Sequence, residues 1–194
     1  MTVTPMLPER REWTVDDLGE LPKDLPYELI NGRLIAPSPT ALHQFICARV
    51  TFALEANCPA DYFVSMDQSL ALDRHNEPRP DVVVIRVEQA NRSPVPVQDA
   101  ILAVEVISPE STIRDRHEKV RLYAAAGVAA YWVIDPLREK VTLTELLLGA
   151  KGEHEPSVET DGLVTIDRPW RVTLDLPAWT ERRREVLGRA KPRE

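Results

Sequence analysis

The sequence predicts an α/β fold, a mixed sheet flanked by helices, and two observations carry that expectation. Residues 82–85, 101–107 and 131–134 are short, β-branched and apolar with almost no alternation, as strands covered on both faces are. Helix-length segments at 40–54 and 108–126 stand beside them, the first with apolar residues at three- and four-residue spacing.

Along the chain, Thr14 and Asp17 have capping-box spacing, with Asp in place of Glu, and open a short helix to about Gly19. Strands at 27–30 and 33–36 flank Asn31-Gly32, the dipeptide that best tolerates the positive φ angles of a type I′ turn. Thr40 caps a helix whose Leu42, Phe45, Ile46, Val50, Ala53 and Leu54 form one buried face, and Pro59 ends it. Apolar runs at 62–65 and 69–72 precede a polar loop at 73–80. The three covered strands follow, with the helix at 108–126 stopped by Gly127. Residues 140–148 alternate as a one-sided strand does. Antiparallel pieces are expected near Val158, at 163–166 and at 172–174, and a last helix from Leu176. No repeat or linker divides the chain, so 13–180 reads as one domain between a flexible N-terminus, 1–12, and a basic C-terminal tail, 181–194.

With 194 residues and 43% hydrophobic content, the chain can build one substantial core. No apolar run reaches the roughly 18 residues of a membrane span, and the first residues lack a secretory layout. A cytoplasmic protein with no membrane partner is the expectation. Cys47 and Cys58 lie at either end of one predicted helix, too far apart for a disulfide, which suits a reducing compartment. The net charge of −7 argues against broad electrostatic affinity for nucleic acid. Six of the 24 basic residues fall after Thr180, leaving 1–180 at −10. An acidic body suits a bound cation; the tail suits an anionic partner or a solvated helix end.

Two carboxylates interrupt the apolar strands: Asp81 at the start of one and Glu105 inside the next. Buried carboxylates need a partner or a metal, and Mg²⁺ or Mn²⁺ takes such hard oxygen donors. A turn residue and a partner for an arginine would explain them equally well. Lys119 follows Asp115 by four residues and precedes Tyr123 by four, so the three share a helix face. The ammonium could orient or deprotonate a water beside a metal, steady charge on a phosphate, or form an exposed pair with Asp115. His43, at the third position of its helix, suits a local hydrogen bond to the helix start or a water or phosphate contact. Trp132 reads as core, and His117 and His154 as surface residues without metal-ligand spacing.

One ordered set of motifs runs along the chain: Glu28 with Asn31-Gly32; His43; Pro80-Asp81; Glu105 with Ser108-Pro109; Asp115, Lys119 and Tyr123; and Tyr131-Trp132 with Asp135-Pro136. Over roughly 13–180 this set resembles the Uma family of restriction-endonuclease-like proteins in the PD-(D/E)xK nuclease superfamily. The resemblance implies a restriction-endonuclease-like α/β fold with a mixed central sheet. It makes Asp81 and Glu105 metal ligands, with the backbone carbonyl of Ile107 beside them, and Glu28 a third acid. His43 then reaches toward the same pocket. The superfamily lysine would fall at position 107, which is Ile107; within the family Lys119 would serve instead. The implied function is a Mg²⁺- or Mn²⁺-dependent endonuclease acting on DNA, as a homodimer. Rival readings are a catalytically silent binding module of the same fold in a mobile-element or defence system, and a hydrolase of small phosphorylated substrates. The segments 140–148 and 170–179 could supply an apolar dimer surface.

Overall fold

The structure, a computed structural model, describes residues 12–22 and 26–190. The stretch expected to be flexible, 1–12, lies outside them except for Glu12. A 3₁₀ turn at Val15–Glu20 follows Thr14, whose backbone N–H and hydroxyl both donate to the Asp17 carboxylate. The hairpin of β1 (Glu28–Ile30) and β2 (Arg33–Ile35) turns through Asn31 and Gly32, at φ of 50° and 70°. At Gly32 a side chain would also strike Glu12, 2.7 Å from where its Cβ would sit.

Helix α1 (Ala41–Glu55) is capped by Thr40, whose side chain accepts from the His43 backbone N–H, and buries Ile46, Cys47, Val50 and Leu54. It ends before Cys58, so the two cysteines do not bracket one helix; both thiols are free. Then come β3 (Tyr62–Met66), β4 (Leu70–Ala71), β5 (Val82–Arg86), β6 (Val95–Pro96) and β7 (Ala100–Val106). Instead of one regular helix at 108–126, a π-helical turn (Arg114–Glu118) leads into α2 (Lys119–Ala125). After β8 (Ala130–Asp135), β9 (Thr142–Leu148) and β10 (His154–Thr160) form a hairpin. A second hairpin, β11 (Leu163–Ile166) and β12 (Val172–Asp175), precedes α3 (Leu176–Arg189).

Six strands form the mixed central sheet in the order β10-β9-β8-β7-β5-β3, with only β7 and β8 parallel to each other. That parallel pair is joined through the π turn and α2, which is how helical residues come to overlook Glu105. One face packs α1, the β11-β12 hairpin and α3 onto Val82, Val84, Val104 and Trp132. The other packs Tyr123 of α2 onto Val83, Ala103, Tyr131 and Val133. Strands covered on both faces have no reason to alternate, which explains the continuous apolar runs.

Three expectations change here. The segments proposed for a dimer surface belong to the core: Val141, Leu143, Val172, Leu174 and Leu176 are wholly buried, and Trp170 and Trp179 nearly so. The boundary at 180/181 falls inside α3, where Arg183 is buried and donates to the carbonyls of Pro136, Arg138 and Glu139. His154 is buried rather than on the surface, its two ring nitrogens 3.2 and 2.8 Å from the carbonyl oxygens of Val120 and Val128. Spacing shows which residues share an element, and these contacts come from packing between elements. His117 is exposed as expected. No helix of the described residues is long and apolar enough to cross a membrane.

Candidate active site

The register Val82↔Val104 sets Asp81, one residue before β5, beside Glu105 of β7. Both line a cavity of about 570 Å³ together with Glu28, His43, Ile107, Asp115 and Lys119. Every predicted site residue except Tyr123 therefore meets in one pocket, and Tyr123 lies directly beneath it. Each has an identifiable support.

Lys119 is the hub. Its side chain is 2% exposed, and Nζ sits 2.8 Å from Glu105 Oε1, 2.7 Å from Glu28 Oε2 and 3.7 Å from Asp115 Oδ1. The exposed-pair alternative is therefore excluded. Burial pushes its pKa down, but Glu105, Glu28 and Asp115 outweigh that and hold it above the usual lysine value. Held this way, Lys119 is a positive charge fixed between the carboxylates. Glu28 is likewise buried instead of facing outward, because β1 lies over this end of the sheet.

The Tyr123 hydroxyl donates to Glu105 Oε1 over 3.1 Å. Burial and the Glu105 charge push this phenol well above its usual range, so it keeps the proton it donates to Glu105. Asp81 Oδ2 accepts from the Val106 N–H at 2.7 Å and lies 3.2 Å from His43 Nε2. The same ring nitrogen is 2.8 Å from the Val106 carbonyl oxygen, and Nδ1 is 3.5 Å from Cys47 Sγ. His43 thus anchors Asp81 across the sheet edge, a role that neither sequence reading contained. Burial opposes its protonation, but Asp81 overrides it and the pKa rises. Burial pushes the Cys47 thiol up, leaving it protonated. His43, Cys47 and Asp81 also present donor atoms within 4.8 Å of one another, a grouping that could hold an ion.

The pocket has more negative than positive charge. Six carboxylates line it, of Glu28, Asp67, Asp81, Glu105, Glu110 and Asp115, against three permanent cations, Arg79, Arg114 and Lys119. Burial, then Asp115, Asp81 and Glu28, drive the Glu105 pKa well up against the pull of Lys119. Burial raises Asp115 too, and its Oδ1 has no hydrogen-bond partner. Asp81 Oδ1 and Glu105 Oε2 likewise receive no hydrogen bond from any described residue. Sequence reasoning missed Arg79 and Arg114, which also line the cavity. Arg114 had one signal, its place immediately before Asp115.

Comparison with known proteins gives a family and a fold. A family model described as "Putative restriction endonuclease" matches residues 15–177. No curated protein matches the chain. A crystal structure of "a putative nuclease belonging to DUF820" from Anabaena variabilis superposes with a TM-score of 0.68. The match covers 86% of this chain and 98% of that one at 19% identity, a likeness that shows the fold.

Proposed function

The chain belongs to the Uma2 family, and from that membership and the charge of the pocket we propose that it is a Mg²⁺- or Mn²⁺-dependent nuclease hydrolysing phosphodiester bonds in DNA. One observation carries the reading. Asp81 and Glu105 stand at neighbouring cross-strand positions, and each leaves one carboxylate oxygen without a hydrogen bond in a cavity with surplus negative charge. Such a donor set fits a hard divalent cation, with the carbonyl of Ile107 as a further oxygen and Glu28 close by. When bound, the cation would supply Lewis acidity toward a phosphate oxygen and make a bound water more acidic.

The protein's own groups do the positioning. Lys119 holds Glu105 and Glu28 in place and keeps a positive charge beside the site of reaction. Tyr123 fixes the rotamer of Glu105, and His43 with the Val106 N–H fixes that of Asp81. A pre-set arrangement of this kind avoids reorganisation when charge develops on phosphate.

Plasmid nicking with Mg²⁺ or Mn²⁺ tests the proposal. The wild type is expected to nick, and Asp81→Ala, Glu105→Ala and Lys119→Ala to fall by at least about a hundredfold, the scale of one electrostatic catalytic group. Calorimetric titration with Mn²⁺ runs alongside, and Asp81→Ala and Glu105→Ala should abolish uptake. A wild type that takes up Mn²⁺ without cutting would favour the silent binding module. Undiminished nicking by all three variants would end the mechanism.

A further inference from the structure

Three cations line the cavity among the described residues, and two of them have their donors engaged. Arg79 pairs with the Asp67 carboxylate at 2.9 and 3.1 Å and also donates to the Asp67 carbonyl and Ser69 Oγ. Lys119 is held by Glu28 and Glu105. Arg114 differs. Its Nε lies 3.1 Å from Glu28 Oε1 and 3.9 Å from Asp115 Oδ1, close enough to feel both charges. Yet that nitrogen is buried without a hydrogen-bond partner, and the guanidinium donates to no described residue. A planar fork of donors is thus held in place by charge alone, with its directional bonds unspent.

Its position suggests a use. Arg114 stands in the π-helical turn at the edge of the cavity and also lines a shallow groove beside it with Arg33, Ile35, Ile113 and Glu118. In that groove Arg33 is paired to Glu118, so Arg114 is again the cation with unused donors. A polymer of phosphodiesters passing from groove to cavity would bring one phosphate after another past this residue. The fork geometry of a guanidinium matches two oxygens of one phosphate, which an ammonium cannot do.

We propose that Arg114 is a substrate-binding residue that grips a non-bridging pair of phosphate oxygens on the strand, next to the phosphate at the Asp81–Glu105 site. The proposal rests on the nuclease reading for the identity of the polymer, but it is tested by binding and not by turnover. The probe is a fluorescein-labelled 20-base-pair duplex, or its single strand, followed by fluorescence anisotropy with Ca²⁺ in place of Mg²⁺ at several salt concentrations. Arg114→Met should weaken binding about tenfold, as the loss of one charge-assisted contact does, and lower the salt slope by about 0.9 for duplex or 0.7 for single strand. Arg114→Lys should recover the slope but only part of the affinity, because charge returns without the fork. Calorimetric Mn²⁺ affinity should stay within about twofold in both variants, and Arg184→Met, on the exposed side of α3, should bind as wild type.

The idea is overturned if Arg114→Met binds both probes as tightly as wild type. A parallel loss of Mn²⁺ affinity would overturn it too, since Arg114 would then only steady Glu28 and Asp115. So would a wild type that binds neither probe. Should Arg114→Met fail to fold, Arg114→Lys decides: unchanged affinity for the strand refutes the fork contact. A protein that binds through Arg114 and cuts nothing would refute the hydrolytic reading and leave this contact standing.

Discussion

Lys119 places a positive charge in a site 2% exposed, and three carboxylates make that tolerable. Removing one partner of a buried ion pair leaves the others uncompensated, at about 3–5 kcal/mol. Lys119→Met is therefore expected to lose about 3–5 kcal/mol in urea denaturation with chelator present. Adding Glu105→Gln should return part of it, because one stranded charge disappears. A loss below about 1 kcal/mol would mean that the cluster is held by its backbone and not by its charges. At this scale the candidate residues were legible because carboxylates and a lysine stand out among apolar neighbours. Their bonding was not. Nothing in the spacing of His43 shows that its ring reaches Asp81 and the Val106 carbonyl, since that contact joins α1 to the end of β7. Arg114 escaped notice because an arginine on a polar helix face is ordinary until the fold turns it toward a cavity.

Elements were legible where one physical rule governed them. The Asn31-Gly32 turn, the Thr40 cap and the covered strands each follow from local chemistry or from burial on two faces. The π turn at Arg114–Glu118 was not, because its widened hydrogen bonding is stabilised by packing and not by a residue preference. Strand β6 was hidden for a related reason, being two residues long and containing Pro96. The buried His154 ties the start of β10 to α2 through the Val120 carbonyl and to the following loop through that of Val128. Burial outweighs these two carbonyls and lowers its pKa below the ordinary 6.5. In the window just below 6.5 the unfolded chain therefore binds the proton more readily than the folded one, and stability rises with pH there. Denaturation midpoints should fall as pH drops from about 6.5 toward the lowered folded value, and His154→Gln should reduce that slope. An identical slope in the variant would remove His154 as its source.

On the scale of the whole molecule, the basic segment that composition sets apart from an acidic body continues a helix packed into the core. Helix α3 places Leu176 and Trp179 in the main core, and Thr180 Oγ1 accepts from the Val141 N–H ahead of β9. One turn further, Arg183 gathers the carbonyls of Pro136, Arg138 and Glu139. Pro136 and Leu137 of that loop also line the cavity, so α3 braces the rim of the candidate active site from the far side of the core. A charged donor to buried carbonyls is worth about 1.5–3 kcal/mol per bond, and losing it leaves acceptors without partners. If 181–194 were a detachable tail, truncation after Thr180 would leave stability unchanged. We expect instead a loss of several kcal/mol, about half of it reproduced by Arg183→Met in the full chain. Thermal denaturation of the two proteins beside wild type measures this, and truncation without a shift would restore the boundary at 180. Mn²⁺ calorimetry on Arg183→Met adds a second readout. Because Asp81 and Glu105 are anchored by α1, β7 and α2, and not by this loop, metal affinity should survive the destabilisation.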